Sequence, residues 1–182
     1  MIKDIRIEWD GPYTLQDIGY IENHCYNGAS LLNEVNKDVG IYQVYGNHPI
    51  YGNNVLLYIG QAFKQTFALR LSQEAWEYNS DYKNIKFYVG RLFGDKKVDD
   101  NNWKNMIDIA EKMLIHAHSP AKNSQHILNI SRDENKLQEF ENIRIFNYDN
   151  YRSLMPEVSG ELWIKEFDNF NGVFGSKEFE NN

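Results

Sequence analysis

Glu111 is the most informative titratable residue of the chain. Its neighbours at i−4, i+3 and i+4 are Ile107, Leu114 and Ile115, so the carboxylate falls at the margin of an apolar helical stripe. A carboxylate in that setting loses solvation and needs a cation or several donors in return. A divalent cation is one such partner, because Mg²⁺ is held by one or two carboxylates together with waters and phosphate oxygens. A boundary glutamate that reaches water, or pairs with Lys104 or Lys112, fits the same pattern. Arg70 stands four residues before Glu74, the spacing of an ordinary helix ion pair. Its planar fork is equally suited to a phosphate oxygen. Tyr42 and Tyr58 lie in two successive apolar segments; they are core aromatics or, with a cation nearby to lower a pKa of about 10, general bases. His116, His118 and His126 would be the ligands of a zinc site, but no fourth ligand is convincingly spaced. His116 and His118 equally suit the C-terminal end of a helix.

Common catalytic signatures are missing. The chain has no GxxxxGK[ST], no GxGxxG after a strand, no GxSxG and no HExxH. The lone Cys25 excludes an internal disulfide and reads as a small, half-buried hydrophobe.

The elements that must carry these residues follow from periodicity. A short helical pattern lies around Ala29–Asn36, and VGIYQVY (39–45) and VLLYI (55–59) read as strands joined by the turn-rich loop GNHPIYGNN (46–54). Residues 65–78 repeat apolar residues at Phe67, Leu71 and Ala75, a helix. IKFYVGRLF (85–93) reads as a third strand. Trp103, Met106, Ile107, Ala110, Met113, Leu114 and Ala117 then build a long helix that is capped near 99–102 and ends at Pro120. Further strands are expected at 143–148 and 162–167. The expected architecture is α/β (α+β): a single domain with a small three-stranded mixed or antiparallel sheet flanked by helices, an N-terminal extension (1–37) and a C-terminal extension (126–182).

Gly40-Ile41-Tyr42 in the first strand and Tyr58-Ile59-Gly60 ending the second resemble the GIY-YIG nuclease family. Arg70 on the next helix, Glu111 on the long helix and Asn123 after Pro120 continue the resemblance in order, over residues 38–125. It implies a divalent-metal-dependent endonuclease that hydrolyses DNA, of a bacterial stand-alone or restriction-like kind. Under it Tyr42 activates water, Arg70 stabilises charge, Glu111 holds Mg²⁺ or Mn²⁺, and Asn123 braces a tyrosine or a loop; taken alone, Asn123 is a turn residue. Many relatives place a His or Tyr where this chain has Glu74. Either Glu74 takes that role, or Tyr58, His48 or Lys64 does, or activity is weakened. The alternative is a non-catalytic nucleic-acid-binding or protein-interaction module.

Composition bounds the partners. The net charge of −7 opposes nonspecific attraction to polyanions, but residues 61–97 carry seven basic and four acidic side chains. Lys64, Arg70, Lys83, Lys86 and Arg91 are therefore the expected contacts to DNA phosphates, double-stranded DNA being the expected partner. Residues 126–182 show no zinc finger or basic helix; capping the sheet, recognising a target and a homodimer contact are the roles open to them. No apolar run reaches the roughly 20 residues of a membrane span, and the start shows no secretory h-region, so a soluble cytoplasmic enzyme is expected.

Overall fold

The computed structural model describes residues 3–21, 25–26, 31–74, 84–94, 100–125 and 140–163. Eight strands and two α-helices lie wholly within the described residues, in the order β1 (Lys3–Tyr13), β2 (Tyr20–Ile21), β3 (Cys25–Tyr26), β4 (Gly40–His48), β5 (Gly52–Ala62), α1 (Phe67–Ser72), β6 (Lys86–Leu92), α2 (Asp100–His118), β7 (Ile143–Asp149) and β8 (Glu157–Ser159). Six strands form one mixed sheet in the order β5-β4-β6-β1-β7-β8, and β2 pairs with β3 apart from it. Only the β1/β7 pair of the large sheet is parallel.

This corrects the expected three-stranded sheet. β4, β5 and β6 do pair antiparallel, but β6 is an interior strand because β1 continues the sheet beyond it. The cause is legible in β1: Ile5, Ile7 and Trp9 are buried while Asp4, Arg6, Glu8 and Asp10 are exposed, the period-2 pattern of a half-covered strand. The N-terminal stretch is therefore sheet, and β7 and β8 extend it from the C-terminal stretch.

The 46–54 loop is shorter than expected. Gly46 pairs with Val55 and His48 with Gly52, leaving a tight turn. Residues 31–36 form turns instead of a helix, and 160–163 are helical where a strand was expected; the rest of both segments lies outside the described residues. α1 starts at its cap, Thr66, whose Oγ1 accepts from Leu69 N.

The sheet is covered on both faces. α1 lays Phe67, Ala68 and Leu71 on Tyr42, Val44, Phe87 and Val89. α2 lays Ile107, Ala110, Met113 and Leu114 on the opposite face, which carries Ile5, Ile7, Trp9, Ile41 and Ile59. Each such side chain contributes roughly 1.5–3 kcal/mol through burial, so these two faces fix where the helices lie. No helix among the described residues is long and apolar enough to cross a membrane.

Candidate functional site

The site is built on the β4–β5 hairpin, and its glycines are there for steric reasons. Gly40 has φ +146°, and a Cβ on it would run into the carbonyl oxygen of Gly90 on β6. Gly60 is the cross-strand partner of Tyr42, whose ring lies where a side chain at position 60 would go. One residue is inserted on β5: Val44 pairs with Tyr58 and Tyr45 with Leu56, a bulge at Leu57. Tyr42 and Tyr58 then stand as diagonal neighbours on the α1 face, with ring centroids 6.1 Å apart and planes at 29°.

β5 is an edge strand, and the chain leaving α2 covers that edge. Ala121 N donates to Leu56 O at 3.2 Å and Lys122 N to Leu57 O at 2.8 Å. Asn123 completes the cover with a two-way bond to one residue: Ile59 N donates to its Oδ1 and its Nδ2 donates to Ile59 O, both at 2.9 Å. Groups from the two faces of the sheet can meet only around such an edge. Tyr58, Glu111, Ile115, Lys122, Asn123, Ser124 and Gln125 line an open cleft of about 210 Å³ there.

Glu111 reaches this cleft from α2. Gln61 Nε2 donates to its Oε2 at 2.8 Å, and among the described residues no ion pair involves it. Burial pushes its pKa up to about 7, against the opposing effects of the Gln61 bond and of the Arg70 and Lys112 charges. Among the described residues the half-buried carboxylate thus has a neutral amide for its hydrogen-bond partner, and a divalent cation could compensate its charge. No group of three or more His, Cys, Asp or Glu side chains suited to a metal exists among the described residues. The fit is therefore to an ion that keeps most of its ligands as water and phosphate oxygen.

α1 brings the cation, and the turn just beyond its end brings the second carboxylate. Arg70 Nη1 is 2.5 Å from Glu74 Oε1, and both side chains are partly exposed. The charges of Arg70, Glu74 and Glu111 are all felt at Tyr42 and at Tyr58, so these five residues share one electrostatic neighbourhood. Burial raises the Tyr42 phenol far above its ordinary range, and Arg70 offsets only part of that rise. Its Oη is buried with no hydrogen-bond partner among the described residues. Tyr58 is likewise raised, by burial and then by Glu111. Both are neutral phenols near pH 7, which weighs against Tyr42 as the base.

Other residues fall elsewhere. Arg91 is not a free phosphate contact: its Nη2 lies 2.7 Å from the buried Asp38 Oδ1 and its Nη1 3.4 Å from Asp10 Oδ2. Asp10 also accepts from Tyr13 Oη at 2.5 Å. Lys64 and Lys86 are exposed, and Lys83 lies outside the described residues. Among the described residues the histidines form no zinc-ligand group. Both ring nitrogens of His118 are engaged: Nδ1 bonds Leu114 O at 2.9 Å and Nε2 accepts from Met155 N at 2.8 Å. Burial lowers its pKa, so it is not a cation at the helix end. His116 packs edge-on against Trp163, and His126 lies outside the described residues. His48 belongs to the hairpin turn, where its Nδ1 accepts from Ile50 N and Tyr51 N.

Gln61, Lys122, Ser124 and Gln125 are the site residues that sequence reasoning overlooked, whereas Asn123 was expected. The signal for Gln61 was a polar side chain directly after an apolar strand run, on the same face as Ile59. For Lys122 no signal existed, since only edge pairing places it. No protein-family model, curated protein or solved structure matches the chain.

Proposed function

We propose that the chain is a divalent-metal-dependent endonuclease that hydrolyses DNA phosphodiester bonds, acting on duplex DNA. One observation carries this reading: Glu111 from α2 and Tyr58 from the β4–β5 hairpin line one cleft at the edge of β5, where Asn123 pins the strand, and the charges of Arg70 and Glu74 are felt at Tyr42 and Tyr58. The resemblance of the Gly40-Ile41-Tyr42 and Tyr58-Ile59-Gly60 segments to GIY-YIG nucleases supports it.

Glu111 would hold Mg²⁺ or Mn²⁺, which when bound polarises the phosphate and stabilises charge on the leaving oxygen. Arg70 offers its remaining donors to a non-bridging phosphate oxygen, where charge accumulates in the transition state. Tyr58, a neutral phenol at the cleft, donates a hydrogen bond to the same group. Glu74 takes the proton of the attacking water; it is the carboxylate of the cluster with no metal to hold, and Arg70 orients it. The water oxygen bonds to phosphorus, the P–O ester bond breaks, and the leaving oxygen takes a proton from solvent. Tyr42 supports Gly60 and the hairpin instead of acting as the base.

The test is plasmid nicking with Mg²⁺ or Mn²⁺ by wild type, Arg70→Ala and Glu111→Ala. Losses of at least a hundredfold in both variants are expected, and undiminished cleavage by both would remove these roles. A second reading, a non-catalytic nucleic-acid-binding or protein-interaction module, draws on the closed Arg70–Glu74 pair and the net charge of −7. Mixed DNA and RNA substrates in the same assay separate the two: no cleavage of any substrate with either metal favours the module.

A further inference from the structure

We propose that Gln61 is the positioning residue of the metal-holding carboxylate: its side-chain amide, 2.8 Å from Glu111 Oε2, occupies one carboxylate oxygen and leaves the other, Oε1, for the cation. The inference rests on the metal reading of Glu111 and adds to it the residue that sets the ligand's orientation and the charge of the site.

The choice of side chain at position 61 carries the argument. A half-buried carboxylate is ordinarily compensated by Lys or Arg, and either would stand where a metal must come and neutralise the charge that attracts it. Gln offers an N–H donor with no charge, so Glu111 is oriented but keeps its full negative charge when ionised. The backbone makes the contact dependable. Gln61 follows Gly60 on β5, is in register with Ile41 on β4, and points to the α2 face together with Ile59. Asn123 grips Ile59 through both backbone groups, two residues before Gln61, so the strand that carries the amide is held from its outer side. The amide, the edge cover and the carboxylate form one connected unit around the cleft. Orientation of a metal ligand by a hydrogen-bonding partner is typically worth 10- to 100-fold in metal affinity.

The experiment is calorimetric titration of the full chain with Mn²⁺ at pH 8, using wild type, Glu111→Gln, Gln61→Leu and Gln61→Met, with metal-free melting curves of each. Glu111→Gln should abolish binding. Gln61→Leu and Gln61→Met both keep the bulk but remove the donor, and each should weaken binding by about tenfold or more. A role limited to holding the fold lowers the metal-free melting temperature and leaves Mn²⁺ affinity within twofold, and a folding defect in Gln61→Leu leaves the longer, more adaptable Gln61→Met to decide. Mn²⁺ affinity within twofold of wild type in a folded Gln61 variant, with binding abolished in Glu111→Gln, overturns the Gln61 assignment and leaves the metal reading standing. No Glu111-dependent binding in wild type removes the metal reading itself, and the Gln61 assignment with it.

Discussion

Gly60 faces Tyr42 across the hairpin so closely that a Cβ at position 60 would lie 2.5 Å from the Tyr42 Oη and 2.6 Å from its Cζ. The same Cβ would lie 2.6 Å from Tyr58 Cε1, so the glycine makes room for both phenols at once. Gly60→Ala should therefore displace both tyrosines at a cost of about 1–3 kcal/mol, the usual range for overpacking. Denaturant unfolding checks the stability, and the nicking assay should show cleavage reduced as well.

Tyr42→Phe separates the two roles open to that residue. The Oη is buried with no partner among the described residues, and deleting an unsatisfied polar group costs little and can stabilise. Stability should be unchanged or up to about 1 kcal/mol higher by the same reasoning. Cleavage should fall by less than about tenfold, whereas loss of a true general base removes 10²–10⁴-fold. A drop in that larger range returns the base role to Tyr42.

Glu74→Gln is expected to do the opposite. The Arg70–Glu74 pair is partly exposed and contributes only a few tenths of a kcal/mol, so the melting curve should hardly move. Cleavage should drop by about a hundredfold or more if the carboxylate takes the proton. Equal cleavage by Glu74→Gln and wild type would exclude it.

Glu111 makes stability fall with rising pH. Its folded pKa of about 7 lies above the ordinary 4.5, so the folded chain holds a proton that the unfolded chain releases. This contribution is fully present below pH 4.5 and is lost as pH rises through about 7. Glu111→Gln should abolish that slope and be more stable than wild type at pH 8 by about 1–3 kcal/mol. Unfolding curves at pH 4.5, 6 and 8 without metal measure it, and parallel curves for the two proteins would contradict the shift.

His118 acts with the opposite sign. Its lowered pKa means the folded state favours the neutral ring, whose Nε2 accepts from Met155 N. Stability is complete above the ordinary value of 6.5 and declines as pH falls below it, because protonation removes the acceptor. Between pH 7 and 5 wild type should lose about 1 kcal/mol relative to His118→Phe, the size of one hydrogen bond. Both proteins carry the Glu111 slope over that interval, so the difference between their unfolding curves isolates His118, and a constant difference would contradict its role.

Local pattern alone located most of the site-bearing elements. The apolar runs containing Tyr42 and Tyr58, the stripe from Trp103 to Ala117 and the strand around Val89 are each a matter of period, turn chemistry and capping, which neighbouring residues decide among themselves. Glu111 at the stripe margin was also legible, because a helix places i−4, i+3 and i+4 residues on one side whatever surrounds it. Tertiary structure alone decided the rest. The six-stranded sheet depends on β1 crossing to lie between β6 and β7, a pairing between residues far apart in sequence that no local window contains. The same holds for the Arg91–Asp38 pair, which took a basic residue away from the surface, and for the burial that makes Tyr42 a neutral phenol. Gln61 meets Glu111 fifty positions along the chain only because α2 packs on β5 and its continuation seals that strand's edge. Residue type and spacing set what each segment becomes, but solvation and partners at a site are set by what the remote chain brings against it.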